Sequence, residues 1–306
     1  MKTALIIPTC NAARHWTALC QGIHSQTLVP DEIFIIDSSS RDGTAAKARA
    51  EGFTVIEIDR HRFSHGGSRQ AAAMRAAHAD ILIYLTQDAV PRDKDGFCNL
   101  AAAFREPGIA AAYGRQLPHR GATAIETHAR LFNYPAVSSV RSWESRSGLG
   151  FKSIFFSNAF GAYRRKALME IGGFSPDVIF GEDTLAVAHL HRAGWKTAYV
   201  AEAVVEHSHA YSPRAEFRRY FDIGVFHQRE RWLVEQLGVA TGEGRRFVLS
   251  ELRYLREHAP LEIPSALLRT LTKFFAYHAG RSSGHLSPWL NRRLTSNSAY
   301  WRTRPG

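Results

Sequence analysis

The chain has 306 residues, of which 45% are hydrophobic and 22% are charged, and this balance excludes an intrinsically disordered protein. Lysine and arginine (39) exceed aspartate and glutamate (28), giving a formal charge of +11. That excess predicts an anionic partner, which composition alone leaves open among nucleic acid, lipid headgroups and phosphorylated small molecules.

Cysteine usage and hydropathy indicate the compartment. Cys10, Cys20 and Cys98 are an odd number without CxxC or metal-ligand spacing, which argues against a disulfide framework and favours a reducing cytoplasm. The apolar run at the N-terminus is too short for a signal-peptide core, and no run is long enough to cross a bilayer. We therefore expect a folded cytoplasmic protein.

Short apolar strands alternate with helical stretches from Thr3 to about Val200. This alternation predicts an α/β domain with a mainly parallel sheet that is covered by helices on both faces. The strands predicted in the first half are 4–8, 32–37, 54–58, 81–85 and 109–113. The helices predicted between them are 12–26, 44–51, 68–77 and 96–104.

The pattern weakens after Tyr113. Residues 138–152 are rich in Ser, Gly and Arg and predict a mobile loop. The elements predicted beyond this loop are strands at 159–163, 196–200 and 204–207 and helices at 165–171 and 184–193.

From about Pro213 the sequence becomes helical and basic, so we divide the chain into an α/β domain (1–212) and a helical region (213–306). Aromatic and leucine residues recur three and four apart with arginines between them, as in amphipathic helices. These helices either cover the core and expose a solvated basic face, or dock on an anionic membrane surface through residues 217–221 and 229–232.

Polar residues follow the first two predicted strands. Pro8, Thr9 and Asn11 end the first strand, and Asp37 and Ser39 end the second. Open α/β sheets bind ligands at the carboxyl ends of their strands, although such residues also serve as ordinary turns and N-caps. The two segments are therefore candidate ligand sites.

The segment FSHGGSRQ (63–70) places His65, Gly66 and Arg69 at the start of a predicted helix. Glycine permits close backbone approach, a helix N-terminus offers unpaired N–H groups to a phosphate, and arginine adds a charged contact. This segment is either a phosphate site or a glycine-rich turn without a ligand.

Acidic residues occur in two further segments. Asp88, preceded by Gln87, follows the strand 81–85, while Glu182 and Asp183 open a predicted helix. The helix dipole also favours acidic residues in a first turn, so a purely structural role stays open for that pair.

Two histidines, His207 and His209, follow the last predicted strand, and their alternation places both on one face. Either histidine is a site residue or a structural one.

The chain resembles glycosyltransferase family 2 over about residues 3–210. Four motifs carry the resemblance in this order: IIPTCN, IIDSSSRDGT, the Asp-containing turn after the fourth strand, and GED. The resemblance implies a GT-A fold, a nucleoside diphosphate sugar as donor, and transfer of the sugar with inversion. The wording FSHGGSR is similar to the rhamnosyltransferase branch of the family.

The resemblance also implies roles for these residues. Asp183 corresponds to the catalytic base. Asp88 corresponds to the metal-binding carboxylate of an Asp-x-Asp motif whose first Asp is Thr86 here, and His207 and His209 lie on the metal side. We expect the metal to be Mg²⁺ or Mn²⁺. The donor-binding candidates are Pro8, Thr9, Asn11, Asp37, Ser39, His65, Gly66, Arg69 and Gln87.

Three residues are candidates for binding the acceptor. Asn158 lies in a stretch that resembles the family's acceptor-side strand, and Glu182 precedes the predicted base. Trp143, in the predicted loop, is either a platform on which a sugar stacks or a core residue.

The predicted function is inverting transfer of L-rhamnose from dTDP-β-L-rhamnose to a hydroxyl of a glycan or lipid-linked glycan, for a bacterial surface polysaccharide. Docking of the basic helices would place the enzyme at the inner face of the plasma membrane. One alternative is a non-catalytic protein that binds nucleotide sugar or polysaccharide. A nucleic-acid-binding protein is a weaker one, because no helix-turn-helix, zinc-finger or RNA-binding signature is present. A homo-oligomer stays open.

Overall fold

A mixed β-sheet with helices on both faces forms the centre of the computed structural model, which describes residues 1–238 and 241–302. The strands in chain order are β1 Thr3–Thr9, β2 Glu32–Asp37, β3 Thr54–Glu57, β4 Ile81–Leu85, β5 Val90–Pro91, β6 Ile109–Leu117, β7 Ser139–Arg141, β8 Phe160–Arg164 and β9 Lys196–Glu206. Their order in the sheet is β3-β2-β1-β4-β8-β6-β9-β5, and β7 pairs with β9.

Thirteen α-helices flank this sheet in the described part of the chain. They are α1 Trp16–His24, α2 Thr44–Ala50, α3 His65–Arg75, α4 Gly96–Ala102, α5 Ala124–Asn133, α6 Arg146–Leu149, α7 Arg165–Glu170, α8 Glu182–Arg192, α9 Pro213–Arg229, α10 Arg231–Leu237, α11 Thr241–His258, α12 Ile263–Arg281 and α13 Pro288–Leu294. Short 3₁₀ helices lie at Arg60–Arg62, Ala103–Arg105, Trp143–Ser145, Gly150–Ile154, Pro260–Glu262 and Ser283–His285.

The sheet confirms the α/β prediction. Strands β3, β2, β1 and β4 run parallel, as β6 and β9 do, while β8 is antiparallel to both β4 and β6. Alternate residues of each strand enter two cores: Ile6 and Ile36 pack on one face, and Ile7 and Ile35 on the other. The near-continuous apolar strands of the sequence thus reflect a sheet that is buried on both sides.

Several local predictions were wrong. Helix α1 begins at Trp16 and not at residue 12, and strand β6 extends to Leu117 and does not end at 113. The strands predicted at 196–200 and 204–207 form one strand, β9, whose register against β6 shifts between Gly114 and Arg115. The predicted mobile loop 138–152 contains β7, α6, one complete 3₁₀ helix and the start of another. Helix α3 begins three residues earlier than predicted, because the Ser64 hydroxyl caps it by accepting a hydrogen bond from the Gly67 N–H at 3.0 Å.

Helix α9 crosses α12 at two glycines. A Cβ on Gly224 would lie 2.2 Å from the Tyr277 carbonyl oxygen, and one on Gly280 would lie 2.0 Å from the Phe221 carbonyl oxygen. Phe221 is fully buried in the same core as the sheet and residues 217–220 are partly buried, which favours the alternative that this segment covers the core. Among the described helices, none combines the length and hydropathy needed to span a membrane.

We predict that Gly280→Ala destabilises the protein by about 1–3 kcal/mol, because the added methyl group must push α9 and α12 apart. Gly244→Ala on α11 is the matched control: no atom lies within 4 Å of the position that its methyl group would take, and replacing a helical glycine adds up to about 1 kcal/mol of stability. Urea unfolding measures both. Equal midpoints for Gly280→Ala and the wild type would contradict the close crossing.

Candidate active site

A cleft of about 1290 Å³ opens at one edge of the sheet. The carboxyl ends of β1, β2, β4, β6 and β9 meet there with the amino end of β8, because β8 is antiparallel to its neighbours. Helix α9 and the C-terminal segment 296–302 form the opposite wall. The position agrees with the ligand site expected at strand ends.

The ends of β1 and β2 are tied together by side chains. The Thr9 hydroxyl donates to the Asp37 carboxylate at 3.1 Å, and Asp37 is buried and also accepts from the Ser40 N–H. The Asn11 side chain accepts from the Arg41 N–H at 2.9 Å. Pro8 and Thr9 line the cleft, whereas Asp37 and Asn11 hold the loops behind its wall.

Ser39 lines a smaller recess of about 410 Å³ instead. The other residues around this recess are Arg41, Asp59, Arg60 and His61. Arg60 and His61 also line the main cleft, so the two spaces adjoin.

Two other donor-binding candidates have structural tasks. The Gln87 amide accepts from the Cys10 N–H at 2.7 Å and donates to the Cys10 carbonyl, which fixes Gln87 at the cleft wall. Gly66 does not line the cleft: its missing side chain admits the Ser175 carbonyl, which would lie 1.9 Å from a Cβ.

A buried ion pair joins α3 to α8. The Arg69 guanidinium lies 3.1 Å from the Glu182 carboxylate, and the two residues are 5% and 7% exposed. Burial raises the pKa of Glu182, but Arg69 and then His65 outweigh it and lower that pKa overall. Arg69 thus lines the cleft and at the same time holds Glu182 in its ionised form. Neither FSHGGSRQ, which contains Arg69, nor GED, which contains Glu182, indicated that these two residues form an ion pair.

Asp183 follows Glu182 at the start of α8 and lines the cleft. Gly181 precedes the helix with φ of +75°, a left-handed conformation that favours glycine and explains the first letter of GED. The Asp183 carboxylate accepts from the backbone N–H groups of Thr184 (2.7 Å) and Asn158 (3.1 Å). Burial, followed by the charge of Glu182, raises the pKa of Asp183 to about 6.

Asn158 is buried beside these two carboxylates. Its side chain donates to Glu182 at 3.4 Å and accepts from the Tyr163 hydroxyl at 3.0 Å. Its backbone N–H is the group that contacts Asp183. These contacts make Asn158 a support for the acidic pair.

Asp88, His207 and His209 come together at the other side of the cleft floor. Each offers a ligand atom, and these atoms lie within 4.8 Å of one another; no other group of three possible ligands meets this criterion among residues 1–238 and 241–302. His207 Nε2 lies 3.4 Å and His209 Nδ1 3.6 Å from the Asp88 carboxylate. The cluster can hold a metal ion.

Protonation suits metal binding. Burial raises the pKa of Asp88, but His207 and then His209, in their protonated forms, outweigh it and hold that pKa well below its usual range. Burial lowers the pKa of His207. Burial also lowers the pKa of His209, to about 4, and the charge of the neighbouring His207 adds to this effect. At neutral pH the cluster therefore offers one carboxylate and two neutral imidazoles.

Gln116 fixes the orientation of His207. Its side-chain oxygen accepts from Arg130 at 2.7 Å, so His207 Nδ1, 2.8 Å from that oxygen, must be the protonated nitrogen. Nε2 of His207 is left as the nitrogen that faces Asp88.

Arginines dominate the cleft in a way that the motifs did not indicate. Among the described lining residues there are seven arginines and three carboxylates. The arginines are Arg60, Arg69, Arg130, Arg214, Arg218, Arg219 and Arg302. The basic segment RAEFRRYF supplies three of them, Arg214, Arg218 and Arg219, for which the sequence left open a solvated face or a membrane surface.

The C-terminal wall also escaped prediction. The buried Asp222 carboxylate on α9 accepts from the Thr295 hydroxyl and from the Ser296 N–H, which holds the segment 296–302 at the cleft. This segment carries no recognisable motif.

Trp143 lies outside the cleft. It is half-buried against the core, and the Arg146 guanidinium lies 4.9 Å from the centre of its ring. The structure thus favours core packing over stacking on a sugar.

The geometry can be compared with known proteins. The chain is 45% identical to the O-antigen chain rhamnosyltransferase RfbN of Salmonella typhimurium, over 98% of this chain and 96% of the relative. It is 41% identical to the O-antigen chain rhamnosyltransferase WbaN of Salmonella anatum, over 97% and 95%. A solved mannosyltransferase of Pyrobaculum calidifontis, in complex with GDP-Man and Mn²⁺, has a similar fold with a TM-score of 0.57 and 19% identity, over 98% of this chain and 85% of that one.

The model of the family Glycosyl transferase family 2 matches residues 4–172, which include β1 to β8 and both strand-end loops that border the cleft. The fold is the GT-A type that the motifs predicted. From this match and the two near full-length relatives, we conclude that the chain belongs to glycosyl transferase family 2.

Proposed function

We propose that the protein is an inverting rhamnosyltransferase of O-antigen synthesis, which moves L-rhamnose from dTDP-β-L-rhamnose to a hydroxyl of a glycan or lipid-linked glycan. The relatives named as O-antigen chain rhamnosyltransferases support the sugar and the process. One observation of the site carries the reaction: Asp183, with a raised pKa, lines the same cleft as the Asp88–His207–His209 cluster.

Asp183 is the proposed general base. A sugar hydroxyl is a weak nucleophile until its proton is removed during attack, and a carboxylate within hydrogen-bond reach can remove it. A pKa of about 6 leaves Asp183 ionised at neutral pH yet more basic than an ordinary carboxylate. The backbone N–H groups of Asn158 and Thr184 orient it toward the cleft.

Asp88, His207 and His209 would hold the divalent cation. One carboxylate and two imidazoles form a mixed oxygen and nitrogen set, which suits Mn²⁺ better than Mg²⁺, since Mg²⁺ favours oxygen ligands and retains water. A cation bound there supplies Lewis-acid stabilisation of the departing diphosphate. We therefore propose Mn²⁺ as the preferred ion.

The donor fits the cationic side of the cleft. We propose that the nucleoside lies along Pro8 and Thr9 toward the recess at Ser39, with Arg60 beside the diphosphate. Asn11, Asp37 and Gln87 act by holding the strand-end loops. Gly66 and Arg69 act through packing and the ion pair, and His65 borders the cleft beside them.

The acceptor would enter beside α9, where Arg214 and Arg218 face the cleft. Arginine suits recognition of phosphate groups, so an acceptor glycan carried on a lipid phosphate agrees with this wall. Such an acceptor would place the enzyme at the cytoplasmic face of the membrane, and we include that location in the proposal.

We predict that Asp183→Asn lowers the rate of rhamnose transfer by about 10²–10⁴-fold, because the amide has nearly the same shape but cannot accept a proton. Binding of dTDP, measured by calorimetry, should stay close to that of the wild type. Glu170→Gln, on the exposed side of α7, removes a carboxylate outside the cleft and should leave turnover unchanged. Near-normal turnover by Asp183→Asn would refute the base assignment, and a wild type that binds dTDP-rhamnose without turnover would indicate a binding protein.

We predict further that Asp88→Asn and His209→Ala each weaken Mn²⁺ binding by at least about tenfold, since even residues that only orient ligands contribute that much. Electron paramagnetic resonance of free Mn²⁺ in the presence of dTDP measures the affinity. His78→Ala removes an exposed imidazole outside the cleft and is the control. Unchanged Mn²⁺ affinity in both site variants, or transfer that is insensitive to EDTA, would exclude this cluster as the metal site.

A further inference from the structure

Arg219 on α9 extends into the cleft and packs on two aromatic rings. Its guanidinium carbon lies 4.8 Å from the centre of the Phe180 ring and 5.6 Å from the centre of the Tyr211 ring. Tyr211 in turn packs on His209 of the metal cluster, with 4.9 Å between ring centres, and Phe180 lies three residues before Asp183. All five residues line the cleft. Arg219 therefore contacts both the metal side of the cleft and the segment that leads into α8.

The two rings hold the guanidinium without using most of its N–H groups. In the described part of the chain, the one hydrogen bond of this side chain runs from Nη1 to the Tyr211 hydroxyl and is long, at 3.5 Å. Arginine packs on aromatic faces while its N–H donors remain able to bind a phosphate through two parallel hydrogen bonds. Arg219 is thus oriented in advance, with donors available to a ligand.

Arg219 forms no ion pair with the acids nearest to it on α9. Glu216 and Asp222 lie three residues before and after it, the spacing at which helical side chains are neighbours. Both carboxylates are occupied elsewhere: Glu216 pairs with two cations of α12, and Asp222 accepts hydrogen bonds from the segment that begins at Thr295. Arg219 is only partly exposed, and charges withdrawn from water are normally paired. We therefore expect its partner to be an anionic group of a ligand.

The charge of Arg219 reaches the metal cluster. Burial and then His207 lower the pKa of His209 most, and the charges of Arg130 and Arg219 add to the effect. Arg130 is occupied, because it donates to the Gln116 side chain at 2.7 Å. Arg219 is thus a cleft arginine that lies close to the cluster and still has donors to offer.

The reaction creates negative charge on the diphosphate. In the proposed transfer, the acceptor oxygen forms a bond to C1 of rhamnose, and its proton passes to Asp183. The bond between C1 and the β-phosphate oxygen breaks, and its electron pair stays on that oxygen. The diphosphate thus leaves with one more negative charge than it carried in the donor. Donors that are already oriented stabilise such developing charge most effectively.

We propose that Arg219 is a catalytic residue that binds the β-phosphate of the donor and stabilises the charge that develops there as dTDP leaves. Its position beside Tyr211 and His209 sets it next to the place where the diphosphate meets the metal cluster. Phe180 and Tyr211 are positioning residues, because they hold the guanidinium and do not themselves contact the phosphate. The inference rests on the proposed function, since it requires a nucleoside diphosphate sugar as donor.

Nucleotide binding tests the proposal without turnover. The affinities of dTDP and dTMP are measured by calorimetry in the presence of Mn²⁺ for the wild type and for Arg219→Gln. Because dTMP lacks the β-phosphate, Arg219→Gln should bind dTDP at least about tenfold more weakly and dTMP within about twofold of the wild type. Arg219→Lys keeps the charge but loses the planar fork, so its dTDP affinity should lie between those of the wild type and Arg219→Gln.

Turnover provides a second readout. The kcat of Arg219→Gln should fall by about 10²–10³-fold, the usual effect of losing one donor to a developing charge, and the KM for dTDP-rhamnose should change less. Arg192→Gln is the matched control. Arg192 is exposed, lies 5.1 Å from the centre of the Trp232 ring and is outside the cleft, so this variant should behave like the wild type in both assays.

The outcomes separate this proposal from the base assignment. Equal losses of dTDP and dTMP affinity in Arg219→Gln, or an unchanged dTDP affinity and kcat, overturn the role of Arg219. Asp183→Asn should bind dTDP like the wild type, so a failure at Arg219 and a failure at Asp183 are distinguishable. A wild type that binds neither nucleotide would contradict the proposed donor and, with it, the role of Arg219. Circular dichroism checks that the variants fold, and Arg219→Lys carries the same comparison if Arg219→Gln does not.

Discussion

The buried ion pair between Arg69 and Glu182 is the interaction on which the site depends. It joins α3 to α8 over 3.1 Å with both side chains almost fully buried, and removing one partner of such a pair costs about 3–5 kcal/mol. Because Arg69 keeps Glu182 ionised, a negative charge is held next to Asp183 in a poorly solvated position. The charge of Glu182 therefore adds to burial in raising the pKa of the proposed base.

The surroundings of Asp88 and Asp183 shift the pKa values of these two carboxylates in opposite directions. Asp88 lies beside two imidazoles that hold its pKa well below the usual range, which suits a metal ligand. Asp183 lies beside another carboxylate, and its pKa is raised to about 6, which suits a base. Opposite shifts of this kind are the usual sign of distinct roles for acidic groups in one site. The surplus of arginines around them provides the positive field that a nucleotide sugar requires.

The sequence predicted the α/β fold, and several of the residues that follow its strands line the cleft. Asp88 and His207 were predicted because the ends of their strands converge on one edge of the sheet, whereas Asp183, at the start of α8, was predicted from the resemblance of GED to the family motif. The Arg69–Glu182 pair escaped prediction, because side chains so far apart in sequence meet only through the packing of α3 on α8.

The dependence of kcat/KM on pH, compared between the wild type and Glu182→Gln, tests the central claim most directly. Below its pKa Asp183 is protonated and cannot act as a base, so the wild-type rate should fall as the pH drops through about 6. Glu182→Gln removes the neighbouring negative charge and leaves Arg69 unpaired, and both changes lower the pKa of Asp183. The acidic limb of the profile should therefore move to lower pH in this variant; an acidic limb at the same pH in both proteins would contradict the proposed role of Glu182.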